Sequence, residues 1–158
     1  MSMPTHPALA GFTGFLLRKV ATASFDGFSE IAAEHGLHPM HFGMLTILDA
    51  EGPVSQQELG RRAGVDPSTM VARIDALEQL GYVERRRSET DRRAYELFLT
   101  PEGQRVRSEM GEAATKWAEH FFRGLDTKER REFHALLAKL AATVDEDTAP
   151  AHAKEPKE

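Results

Sequence analysis

The tetrapeptide Gly64-Val65-Asp66-Pro67 constrains this chain more than any other stretch. Glycine tolerates the left-handed backbone that closes a helix. Aspartate caps the free amides of the next helix, and proline suits the first helical position, where no N–H is needed. Upstream, Ser55-Gln56-Gln57-Glu58 is an S-x-x-E capping box that opens a short helix to Ala63, anchored by Leu59. Downstream, Met70, Ile74 and Leu77, with Val71 and Leu80 beside them, form the buried side of a helix over 67–80 that Gly81 stops. Two short helices joined at Gly64-Val65-Asp66 have the spacing of a helix-turn-helix.

Beyond Gly81 the pattern turns β-like. Positions 82–87 and 94–99 read as two strands, with Val83, Tyr95, Leu97 and Leu99 in partial alternation. The stretch RRRSETDRRAY, 85–95, holds five arginines and lies at the tip of the resulting hairpin. Longer helices flank this lobe. Over 8–34, Leu9, Phe12, Leu16, Val20, Ala23, Gly27 and Ile31 recur at spacings of three and four. Gly11, Gly14 and Gly27 weaken that helix or permit close approach of another. Pro39 starts a helix over 39–50 after Gly36. Thr100-Pro101 opens one to about 123, with Val106, Met110, Ala113, Trp117 and Phe121 on its face. Asp126-Thr127-Lys128-Glu129 is a second capping box, with Phe133, Leu136, Leu137, Leu140 and Val144 after it. The last two helices have narrow apolar stripes and little core of their own. With the first they suit an intersubunit bundle, with Leu9, Phe12, Leu16, Trp117, Phe121, Phe133, Leu136, Leu137 and Leu140 at the interface.

The expected fold is therefore mainly α with a small β-hairpin wing: a winged helix-turn-helix lobe plus a helical dimerisation lobe. Residues 1–36 are an arm and the first dimerisation helix. Residues 37–100 form the lobe, 101–145 the remaining dimerisation helices, and 146–158 a polar, disordered tail.

Charge and composition narrow the function. The chain carries a net charge of −5, yet 55–93 holds eight basic and seven acidic side chains. Screening confines a charge to about 8 Å in physiological salt, so clustered arginines can meet phosphates while the remainder is acidic. The absence of cysteine excludes disulfides, thiolate zinc sites and thiol chemistry. No secretion signal and no apolar run of membrane-spanning length is visible, which leads to the expectation of a cytoplasmic protein without a membrane partner.

A helix-turn-helix with a basic hairpin after it is a winged helix, and its second helix enters the major groove by its N-terminal residues. Those are Pro67, Ser68, Thr69, Ala72 and Arg73, read as opposite the Met70, Ile74 and Leu77 face. Arg73 suits guanine, and an arginine at the wing tip suits a narrow minor groove. Ser55, Gln56, Arg86, Arg87, Asp91, Arg92 and Arg93 complete the expected DNA-facing set.

The run from Ser55 to Gly103, SQQELGRRAGVDPSTMVARIDALEQLGYVERRRSETDRRAYELFLTPEG, resembles the core of the MarR family, the multiple antibiotic resistance regulators. The resemblance covers 37–106 at motif level and the flanking helices in length and position only. It includes the D-x-R wing motif as Asp91-Arg92-Arg93. By this resemblance Arg93 inserts into the minor groove and Asp91 holds the wing arginines, although Asp91 also reads as an ordinary turn residue. The resemblance implies double-stranded DNA as partner, a homodimer, and a pocket for a small phenolic or carboxylated effector between the dimerisation helices and the DNA-reading lobe. Phe12, Phe15, Arg18, His38, His41 and Leu45 crowd where the first two helices should meet. An apolar slot with Arg18 or a histidine would take an aromatic acid.

Other readings are weaker. His35, His38 and His41 straddle a helix junction and have no cysteine to help, so they line a pocket or the surface rather than hold a metal. No nucleophile–base pair or phosphate-cradling loop is visible, so no enzyme and no cofactor is expected. A winged helix used only for protein binding is the alternative, but such a module does not need arginine at the wing tip.

Overall fold

The computed structural model describes residues 6–88 and 94–148. The chain divides into two compact units, Met1–Ala118 and Glu119–Glu158.

The first unit opens with a single 3-10 turn at Pro7–Leu9, capped by the His6 ring. Helix α1 begins only at Thr13 and runs Thr13–Ala33. The expected start at Ala8 is too early, because Gly11 comes directly after this turn and costs a continuing helix about 1 kcal/mol. Then come α2 (Pro39–Glu51), β1 (Val54–Ser55), α3 (Gln56–Ala63), α4 (Pro67–Gln79), β2 (Val83–Arg87), β3 (Tyr95–Leu99) and α5 (Pro101–Phe121). Gly64 closes α3 in the left-handed conformation with φ 64°. Gly81 does the same after α4 with φ 74°.

The sheet has three antiparallel strands in the order β1-β3-β2. β1 is not expected from the sequence. It is two residues long, comes after Pro53, and pairs Val54 with Leu97 and Ser55 with Glu96. Its pairing partner lies more than forty residues away, so no local pattern announces it.

The core joins Met44, Leu45 and Leu48 of α2, Leu59 of α3, Met70, Ile74 and Leu77 of α4, Val83 and Leu97 of the sheet, and Val106 and Met110 of α5. Val71 and Leu80 are exposed, so the buried side of α4 is narrower than expected. Gly27 accounts for one expected close approach. A Cβ there would lie 2.6 Å from Trp117 Cε2 of α5, whereas among the described residues Gly11 and Gly14 meet nothing within 4 Å. Trp117 therefore packs within its own chain.

In the second unit, α5 ends and Phe122 sits between Phe121 (ring centroids 4.9 Å apart) and Phe133 (6.0 Å). Helix α6 spans Thr127–Thr148. Its capping box forms in both directions: Asp126 accepts from the Glu129 amide at 2.9 Å, and Glu129 accepts from the Asp126 amide at 2.8 Å. The helix continues through 146–148, three residues into the segment expected to be a disordered tail. No glycine or proline interrupts 125–149, and Pro150 is the first breaker. None of the described helices is long and apolar enough to cross a membrane.

Candidate nucleic-acid interface

The recognition helix α4 is set by its first turn. Asp66 Oδ1 accepts from the Ser68 amide at 3.1 Å, the Thr69 amide at 3.0 Å and the Ser68 hydroxyl at 2.6 Å. These bonds favour the carboxylate and hold its pKa far below the usual range, the Ser68 hydroxyl contributing most. Pro67, Ser68 and Ala72 are exposed and Thr69 is half-buried. Because the Ser68 hydroxyl proton is given to Asp66, this side chain is left to accept hydrogen bonds, which suits base amino groups better than phosphates.

Arg73 departs from the expected outward face. It is half-buried on the flank of the buried stripe, and its charge acts on His38 and His41 of α2. At 100° per residue, Arg73 stands beside Met70 and Leu77 rather than opposite them.

In α3, half of the expected capping box forms. The Ser55 hydroxyl accepts from the Glu58 amide at 3.2 Å. The Glu58 carboxylate turns instead to Arg61 and Arg62, both at 2.6 Å. Arg62 also pairs with Glu51 of α2. Ser55 and Gln56 are half-buried.

The wing strands carry three consecutive arginines with different surroundings. Arg85 is turned inward. It pairs with Glu78, reaches Asp75 at 2.6 Å and Gln56 at 3.5 Å, and its amide donates to Glu78 at 3.3 Å. Burial opposes its charge, but the Asp75 hydrogen bond and the nearby Glu78 and Asp75 charges hold its pKa above the ordinary arginine value. Arg86 pairs with Glu84 and lies 4.6 Å over the Phe98 ring. Arg87 is exposed. Ser88 is buried and donates to Glu96 at 2.9 Å. Asp91, Arg92 and Arg93 lie outside the described residues.

Of the residues expected to form an effector slot, His38 and His41 meet on α2, with ring centroids 6.3 Å apart, and Phe15 and Arg18 meet on α1. Phe15 lies beneath Arg18 at 5.7 Å, and Phe12 is exposed, all at the start of α1. His38 instead meets Phe25, with centroids 5.9 Å apart, and Phe28 meets Phe42 at 5.3 Å. Ten residues of helix, about 15 Å, separate Phe15 from Phe25. Leu45 is fully buried in the core.

His38 and His41 cap α2. His38 Nδ1 accepts from the Met40 amide at 3.2 Å, and His41 Nδ1 accepts from the His38 amide at 3.1 Å. Sequence reasoning misses this because histidine is not among the usual caps; the His-Pro-x-His order after Gly36 is the available signal. Among the described residues no group of three His, Asp or Glu could hold a metal ion.

His41 is buried, and its Nε2 has no hydrogen-bond partner among the described residues. Burial first, then the charges of Arg73 and His38, lower its pKa to about 4. The unfolded chain protonates this ring near pH 6.5. Stability from this group is therefore intact above about pH 6.5 and is lost as pH falls toward 4, at about 1.4 kcal/mol per pH unit for one proton. Urea unfolding at pH 7 and pH 5 should show the loss in wild type and a smaller one in His41→Gln; equal losses would refute it.

Known proteins resemble this chain in sequence and in fold. The model of the MarR family matches residues 35–94. A putative transcriptional regulatory protein for the hcr operon of Thauera aromatica is 33% identical over 95% of this chain and 90% of its own. The transcriptional repressor CouR, solved on a 23-mer DNA duplex, superposes with a TM-score of 0.78 at 29% identity, over 89% of this chain and 99% of its own. BpsR of Bordetella bronchiseptica, whose DNA binding is regulated by 6-hydroxynicotinic acid, gives 0.74 at 25% identity, over 88% and 98%. A capped recognition helix beside a basic three-stranded wing, in a chain this similar along nearly its whole length, is that of a transcriptional regulator and not an enzyme: the chain belongs to the MarR family.

Proposed function

We propose that the chain is a homodimeric repressor that reads a near-palindromic operator and releases it on binding a small aromatic acid. The observation that carries DNA reading is the first turn of α4, held by three bonds to Asp66 with Pro67, Ser68 and Ala72 left exposed. Apolar side chains left uncovered on α1 and α6 favour pairing of two chains. Two recognition helices then sit about 34 Å apart, one turn of DNA. Similarity to CouR supports repression, and similarity to BpsR supports an aromatic acid effector.

The effector must prefer the DNA-incompatible spacing of the two recognition helices, since a ligand that binds both states equally shifts nothing. A tenfold release needs only about 1.4 kcal/mol of preference. Within one chain, His38 stands against the Phe25 ring and within reach of the Arg73 charge, a setting that suits an aromatic carboxylate.

The test is fluorescence anisotropy on a duplex selected from a random pool. Affinity should fall steeply with salt, because phosphate contacts release counterions. Arg93→Ala should weaken binding about tenfold or more in a folded protein. Salicylate-like or hydroxynicotinate-like acids should raise both the melting temperature and the DNA dissociation constant. Salt-insensitive binding would favour a protein-binding winged helix, and a broad acid panel without effect on either quantity would remove the effector.

A further inference from the structure

Three arginines stand in sequence at 85–87, and the pleat of β2 sends them to different places. Val83, Arg85 and Arg87 share one face with Leu99, Leu97 and Tyr95, their partners across the ladder. Glu84 and Arg86 share the other face with Phe98 and Glu96. On the first face, Val83 and Leu97 enter the core and Arg85 grips α4 through Asp75 and Glu78. That face is therefore the one turned toward the recognition helix. The row ends in Arg87 and Tyr95, which oppose each other and are both exposed, Tyr95 at 51%. On the second face, Arg86 is held by Glu84 and the Phe98 ring.

We propose that these arginines divide the work of DNA binding by strand parity, and that Tyr95 joins them as a phosphate contact. Arg87 and Tyr95 form a pair that meets the DNA backbone between the recognition helix and the wing tip. Arg87 brings a charge and Tyr95 a neutral O–H donor. Arg85 is a positioning residue: its guanidinium ties β2 to α4 and α3, so the pair is aimed relative to the recognition helix. It also neutralises Asp75 and Glu78, two carboxylates that would otherwise repel phosphate. Arg86, which the sequence alone put in the DNA-facing set, is held on the opposite face by Glu84 and the Phe98 ring and takes no part.

This division rests on the DNA-binding reading above. It explains why only some of the positive charge in the hairpin is available. One arginine is consumed by an intramolecular bridge, one is stacked on the outer face, and one is exposed to an anion on the face beside the recognition helix. Tyrosine suits the position next to it, because the phenol donates without adding a counterion to release.

Five variants separate the roles, each checked for a native circular dichroism spectrum and melting curve before affinity is measured over a range of salt. Arg87→Ala should weaken operator binding about tenfold and reduce the salt slope by about one. Tyr95→Phe should weaken it severalfold at an unchanged slope. Arg85→Ala should weaken it about tenfold, also at an unchanged slope, since no phosphate contact is lost. Arg85→Lys should recover part of that. The double variant Asp75→Asn, Glu78→Gln should weaken binding although it removes negative charge, because the bridge is gone. Arg86→Ala, the sixth protein and the internal control, should stay within about twofold of wild type. A reduced slope in Arg85→Ala or Arg86→Ala, full affinity in Tyr95→Phe, or tighter binding by the double variant would overturn the division of roles. Wild-type protein that binds no duplex would overturn the regulator reading itself, and this assignment with it.

Discussion

Replacing Leu136 and Leu140 together by glutamate is expected to turn a dimer into a folded monomer and to cut operator affinity by ~100-fold or more. Both side chains lie on α6 and are exposed in the single chain, at 63% and 57%. A charge there consequently meets water in the monomer and leaves its fold intact. In a dimer that covers this face, the same charge is buried without a partner, at about 3 kcal/mol for each site. Two copies of two charges outweigh the stability of an ordinary interface. DNA affinity falls with it, because one half-site held without its twin loses the effective concentration that the second recognition helix supplies. Sedimentation equilibrium and far-ultraviolet circular dichroism on the same sample decide it. A dimer that survives both glutamates would place the interface elsewhere, and an unfolded chain would mean that this face is covered within one chain.

Gly103→Ala should destabilise the chain by about 3 kcal/mol, although alanine is the better helix former. Gly103 is in the first turn of α5 and is buried. A Cβ there would lie 2.8 Å from Leu99 Cδ1 and 2.9 Å from the Tyr82 carbonyl carbon, with the carbonyl oxygen closer still. That carbonyl cannot move freely, because it accepts from the Thr100 amide at 3.1 Å. The Thr100 hydroxyl in turn donates to Gly81 at 2.7 Å and accepts from the Gly103 amide at 3.0 Å. The start of α5 is thus tied to the turn between α4 and β2. Helix propensity favours alanine by about 1 kcal/mol, and the clash exceeds it. Gly111, in the same helix, is the control: among the described residues nothing but the Phe42 ring at 4.0 Å approaches, so alanine there should be neutral or stabilising by up to about 1 kcal/mol. Melting temperatures at fixed protein concentration should fall by on the order of 10 °C for Gly103→Ala and not for Gly111→Ala. Equal melting temperatures would show that the turn relaxes at little cost.

The order and type of the elements were legible because helix ends are local chemistry. Gly64, Asp66 and Pro67 act on amides within four residues, and so do Asp126 and Glu129, so the sequence by itself determined where α3 stops, where α4 begins and how α6 opens. It determined the wing for the same reason, through alternation around an arginine-rich turn. The tertiary structure alone decided what the side chains between those points do. Arg85 could have been one more exposed arginine until β2 packed beside α4 and supplied Asp75 and Glu78, ten and seven residues away, and Gln56, twenty-nine away. The rotation of α1 against α2 chose Phe25 rather than Phe15 for His38, and the fit of His38 and His41 over the α2 amides made caps of residues that read as the lining of an effector slot. The two-residue β1 exists only because β3 arrives beside it. Capping and turn signals are read over a few residues of chain, where backbone geometry leaves few choices. Pairing, burial and charge are settled between segments far apart in sequence, and only packing brings those partners within reach.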